Sequence, residues 1–184
     1  MSKGRLVVIL TGDREVGKTT VCRRLAERLH TEGLRVGGVL TDTTHVGADR
    51  TLVVHDLGDD QRSVLASTGP LAKGLKHGAF TFSPEGIYRG IKAIGRGMSA
   101  DLLIVDEIGP FEMSDGGFFP VLHVIRKAAR SLLVIRPSLI ERAAAKLGLD
   151  DDHEVVMLTA ETRDQVLDHL GEIFLAHYVR STTH

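Results

Sequence analysis

The sequence predicts an α/β three-layer fold: a mainly parallel central sheet, helices on both faces, and a short antiparallel excursion at one edge. Three observations predict it. Apolar runs at Leu6 to Leu10, Leu102 to Val105 and Leu132 to Ile135 read as strands buried on both faces. Segments of helical period separate these runs, which is the alternation of a doubly wound sheet. Between Arg35 and Phe82 that alternation breaks into short strand-like pieces and turns. With 184 residues, one domain over residues 1–184 is expected, with a frayed tail from Arg180 to His184.

The first strand leads directly into Gly12-Asp13-Arg14-Glu15-Val16-Gly17-Lys18-Thr19-Thr20. This matches G-x-x-x-x-G-K-[ST], and the strand before and helix after supply the context a phosphate-binding loop needs. A triphosphate demands many donors at once. A tight loop at a helix N-terminus offers unpaired N–H groups and the positive end of the helix dipole. Gly12 and Gly17 let the backbone curl without a Cβ in the way. Lys18 reaches the β- and γ-phosphates as a point charge. Thr19 carries a hydroxyl suited to Mg²⁺. All nine residues, Gly12 to Thr20, are expected to line the nucleotide.

The helix that follows runs from Lys18 to Glu32, with Val21, Leu25 and Leu29 on one side and Gly33 as its stop. A strand is expected over Arg35–Thr41, then a polar turn over Thr41–Ala48. Thr51–Leu57 and Arg62–Ser67 flank the turn signal Gly58-Asp59-Asp60 and read as a hairpin. Thr68–Gly78, with several glycines and Lys73, Lys76 and His77, reads as a flexible loop: a solvated connector or a phosphate-facing lid. Ala79–Phe82 is a short strand. Ser83-Pro84-Glu85 is an N-cap, a first-turn proline and a first-turn acid, opening a helix with Ile87, Ile91 and Ile94 on one face that ends near Gly97. After the strand at Leu102, helices are expected over Pro120–Ala129, Ser138–Leu147 and Glu161–Tyr178. A last strand is expected at Val155–Leu158.

Composition narrows the partners. The formal net charge is −1 and the pI is about 6.8, so no bulk basic field holds nucleic acid, which is not an expected partner. The single cysteine, Cys22, rules out an intrachain disulfide and reads as a packing residue. The nine histidines form no H-E-x-x-H or Cys/His ligand set. The N-terminal apolar run is too short for a membrane span and lacks a signal-peptide pattern. The expected location is therefore the cytoplasm, with no membrane partner.

The loop binds nucleotide; the partner that says what happens to it is Asp106-Glu107, at the C-terminal end of the Leu102 strand. Ligands sit at that end of open α/β sheets. Asp106 is placed to orient Mg²⁺ with Thr19. Glu107, one residue on, can orient or deprotonate the water that attacks the γ-phosphate. Asp106-Glu107-Ile108-Gly109 also fits D-x-x-G, whose glycine amide can touch a γ-phosphate. The transition state wants a cation; Arg14, Arg50, Arg136 and Arg163 are candidates, and Arg136, at a strand end, has the best position. The chain contains no asparagine, so the N-K-x-D device for reading guanine is absent. Base choice is loose or made elsewhere, with Thr159 to Arg163 the candidate turn.

The loop at Gly12, the stretch Val105-Asp106-Glu107-Ile108-Gly109-Pro110-Phe111-Glu112, and Thr159-Ala160-Glu161-Thr162-Arg163-Asp164 together resemble the small P-loop nucleoside-triphosphatases found from archaea to animals. The similarity runs to about Leu170. It implies the P-loop NTPase three-layer fold and slow Mg²⁺-dependent hydrolysis of several nucleoside triphosphates (ATP, and GTP, CTP or UTP) to diphosphate and phosphate. Lys18, Thr19, Asp106 and Glu107 carry over as site residues; Glu112 matches a downstream acid of the family. Where the family has a T-E-E-V-R-like stretch, this chain has Thr41-Asp42-Thr43-Thr44-His45. Two alternatives stay open: a nucleotide or small-molecule kinase, and a nucleotide-dependent switch or adaptor.

Overall fold

A computed structural model of the chain describes residues 5–71, 73–123, 125–149 and 153–182. Among them the strands are β1 (Leu6–Thr11), β2 (Val36–Val46), β3 (Asp49–Asp56), β4 (Arg62–Ser67), β5 (Leu75–His77), β6 (Phe80–Phe82), β7 (Leu102–Ile108), β8 (Arg130–Ile135) and β9 (His153–Met157). The helices are α1 (Lys18–Thr31), α2 (Pro84–Gly97), α3 (Pro110–Met113), α4 (Phe119–Leu122), α5 (Ile140–Leu147) and α6 (Arg163–Thr182). All the strands join one sheet, in the order β5-β6-β4-β3-β2-β7-β8-β1-β9.

The half that carries β2, β7, β8, β1 and β9 is parallel throughout. Its central strands are apolar along their length because helices cover both faces. On one face Val8, Leu10, Ile104, Leu132 and Val134 meet Val21, Leu25 and Leu29 of α1 and Leu170 and Phe174 of α6. On the other, Val7, Ile9, Leu103, Val105 and Leu133 meet Ile94 of α2 and Ala143 and Leu147 of α5. α2 sits close against β2: a Cβ added at Gly37 would lie 2.7 Å from the Gly97 Cα. Ser83 caps α2 as expected, accepting the Gly86 N–H at 3.2 Å.

The antiparallel part is larger than the sequence indicated. β2 does not stop at Thr41; it pairs with β3 from Val39↔Asp56 to Val46↔Asp49. The stretch read as a polar turn is strand because Thr41, Thr43 and Thr44 are β-branched and suit a pleated surface with one side in water. The turn itself is Gly47-Ala48, with Gly47 at φ 60, a two-residue hairpin loop. β4 pairs with β3 as expected. β5 falls inside the segment read as a loop and pairs with β6 around Gly78.

Other boundaries shift. The helix expected over Pro120–Ala129 is α4 followed by a 3₁₀ turn at Ile125–Lys127. Val121, Leu122, Ile125 and Ala128 are buried across both pieces. The apolar spacing is thus satisfied without a continuous helix. A 3₁₀ turn at Pro137–Leu139 precedes α5, and Gly148, at φ 59, ends that helix in the left-handed conformation. β9 starts at His153, earlier than expected. Arg180 to Thr182, read as tail, belong to α6. Thr183 and His184, the rest of the expected tail, and residues 1–4 lie outside the described residues.

Candidate active site

The phosphate loop is built by the crossing of β1 into α1. Gly12 leaves β1 at φ 149, and a Cβ there would lie 2.3 Å from the Leu158 carbonyl oxygen. Glycine is therefore needed twice over, for the angle and for the approach of the β9 exit. Gly17, at φ 97, is the N-cap of α1. Asp13, Arg14 and Glu15 are exposed on the crest of the loop, Val16 is half-buried, and Thr20 points out to solvent. Lys18 folds back over the loop: its Nζ donates to the carbonyl oxygens of Gly12 at 2.8 Å and Asp13 at 2.5 Å. Burial lowers the Lys18 pKa, opposed by the charges of Glu107 and Asp106. These three groups share one electrostatic site, as their positions in the chain suggested.

Asp106 is 2% exposed at the end of β7. The Thr19 hydroxyl donates to its carboxyl, and the Thr41 N–H reaches Oδ2 at 3.3 Å. The Thr41 hydroxyl donates to the Asp106 carbonyl. Burial pushes the Asp106 carboxyl up to about 7, against the pull of those donors. Thr19 and Asp106 thus meet as a pair of hard oxygens beside the phosphate loop, a donor set suited to a small divalent cation.

Glu107 pairs with Arg136, whose Nε donates to Oε1. The two side chains are 34% and 32% exposed, so the pair faces the ligand end of the sheet while still open to water. Of the other candidate cations, Arg163 donates its Nε–H to the Val16 carbonyl at 2.7 Å, bracing the loop from outside. Arg50 lies over the Phe80 ring at 5.0 Å, within the antiparallel part. Arg14 is exposed on the crest.

The family model described as NTPase matches residues 7–171. The chain belongs to this NTPase family. It is 32% identical over 163 residues to the protein named nucleoside-triphosphatase THEP1 of Pyrococcus abyssi, covering 85% of this chain and 86% of that one. Its fold is similar to that of THEP1 from the hyperthermophile Aquifex aeolicus, at TM-score 0.71 and 20% identity, covering 92% of this chain and 99% of that one. It is also similar to a human cancer-related nucleoside triphosphatase, at TM-score 0.70 and 22% identity, covering 90% and 95%.

In this NTPase the glycine amide of D-x-x-G is already engaged. Gly109 N–H donates to Oε2 of Glu112 at 3.0 Å, while Oε1 accepts the Phe118 N–H at 3.3 Å. Glu112 is 6% exposed, and burial raises its pKa. It ties the β7–α3 turn to the segment before α4. Gly109-Pro110-Phe111-Glu112 is an N-cap, a first-position proline and an acid at the third helical position. An acid at the third helical position behind Gly-Pro, able to reach back to the N-cap amide, is the sequence signal; Gly109 has no side chain to complete a capping box. Cys22 is fully buried in α1, and burial pushes its thiol up, as suits a packing residue.

Proposed function

We propose that this NTPase hydrolyses nucleoside triphosphates to nucleoside diphosphate and phosphate, with Mg²⁺ and little preference among bases. The observation that carries the reading is the joining of the Gly12–Thr20 loop to Asp106 through the Thr19 hydroxyl, with the Glu107 charge acting on Lys18 beside it. The loop amides and the α1 N-terminus receive the phosphates. Lys18 exchanges the Gly12 and Asp13 carbonyls for phosphate oxygens. Thr19 and Asp106 would hold Mg²⁺, which when bound neutralises charge on the β- and γ-phosphate oxygens. Glu107 orients the attacking water and accepts its proton, and Arg136, its neighbour, supplies positive charge as the γ-phosphoryl group departs.

The relatives named nucleoside-triphosphatases support hydrolysis. Loose base choice is supported by the turn after β9. Thr159 N–H donates to the Thr162 hydroxyl at 3.0 Å and Arg163 braces the loop, so their groups are spent on structure rather than on reading base edges. The Glu112 hold on Gly109 removes the amide that favoured a switch. Residues 1–184 act as one domain on free nucleotide in the cytoplasm. Among the described residues no helix is long and apolar enough to cross a membrane. A phosphate-release assay with ATP, GTP, CTP and UTP tests it. Turnover of all of them within about tenfold is expected, and dependent on Mg²⁺. No release from any would refute it.

A further inference from the structure

Asp42 stands at the same end of the sheet as the proposed cation. β2 runs parallel to β7, with Val39 opposite Val105. Asp106 is one residue beyond that pair and Asp42 is three beyond it, on the part of β2 that continues past its parallel pairing with β7 to Val46. Both side chains face α1. Asp106 accepts from Thr19, and Oδ1 of Asp42 accepts from Arg23 at 2.6 Å. Thr19 and Arg23 are four residues apart, neighbours on one side of that helix. Arg23 is fixed from a second side by Nδ1 of His55 at 3.1 Å.

The other oxygen, Oδ2 of Asp42, is shut off from solvent and has no hydrogen-bond partner among the described residues. Arg62, 56% exposed, approaches it only to 3.8 Å, beyond hydrogen-bonding distance. A buried carboxylate oxygen without a donor is costly. Mg²⁺ dehydrates reluctantly and keeps several waters, and a metal-bound water is a strong donor. Carboxylates that accept from a metal's inner shell orient it and sharpen its affinity.

We propose that Asp42 is a positioning residue for the divalent cation, accepting a hydrogen bond from a metal-bound water at Oδ2 while Arg23 holds Oδ1. This rests on the reading that Thr19 and Asp106 bind that cation. Mn²⁺ is the probe, titrated into the full chain with saturating ADP and followed by the EPR signal of free Mn²⁺. Asp42→Asn keeps an oxygen for Arg23 but turns an amide N–H₂ toward the water. It should weaken Mn²⁺ about tenfold. ADP affinity in chelator should stay within about twofold of wild type, because the phosphate loop is untouched. Asp42→Glu should recover most of the Mn²⁺ affinity. An Asp42→Asn protein with a wild-type melting profile and wild-type Mn²⁺ affinity overturns the proposal. Should that variant not fold, Asp42→Ser is read by the same titration with the same two outcomes. A wild type that holds no Mn²⁺ beside ADP refutes instead the assignment of Thr19 and Asp106.

Discussion

Asp106 concentrates the cost of building this site. Burial at 2% exposure lifts its carboxyl to about 7, against an unfolded value of about 4. Between those two values the native state holds a proton that the unfolded chain has released. The group's stabilising contribution is therefore complete below the unfolded pKa and is lost as pH rises through the folded one. Asp106→Asn removes the ionisation. Free of metal and nucleotide, that variant should be more stable than wild type by about 1–3 kcal/mol at pH 8, with the gain vanishing toward pH 4. Thermal melts in chelator check this; a gain that grows as pH falls contradicts it. Glu112 shows the same economy of buried charge with a different purpose. Its two oxygens are spent on Gly109 and Phe118, so it shapes the turn that carries Glu107 rather than touching phosphate.

At the scale of elements, the site is a meeting of strand ends. β1 delivers the loop, β7 the acid pair, β8 Arg136 and the β9 exit its two braces: the Leu158 carbonyl behind Gly12 and Arg163 on Val16. Arg163→Ala removes one hydrogen bond from the loop in every state of the reaction. It should raise KM about tenfold with kcat within about threefold. Steady-state kinetics decide it; an unchanged KM with a falling kcat would mean that Arg163 acts on the transition state instead. Strand–glycine–helix at Gly12 to Thr20 was legible because every feature is local: an apolar run, a fixed glycine spacing and a helical period. The extension of β2 was not. Thr41 to Val46 becomes strand only by pairing with β3, and its polar side chains imitate a turn. Helix α4 was misjudged in length because the burial of Val121, Leu122, Ile125 and Ala128 fits a helical period whether or not the backbone is continuous. Glu112 stood out only as the match to a family acid; its structural role was not legible, since it depends on Phe118, six residues on.

For the whole molecule, the division of the sheet matches the division of labour. The parallel half places its ligand-facing strand ends on one rim, and helices α1 and α6 close one face behind the phosphate loop. The antiparallel half extends the same sheet beyond β2 and brings His55 against Arg23, which in turn holds Asp42. Nucleotide chemistry and the strands that support it are thus one continuous construction. In it Glu107 acts on water, and nucleotide binding does not depend on Glu107. The most direct measurement is phosphate release by Glu107→Gln beside its affinity for a fluorescent triphosphate. Turnover should fall about 10²–10⁴-fold with affinity within about threefold of wild type. Turnover near the wild-type rate, or turnover lost only in step with affinity, would contradict the assignment.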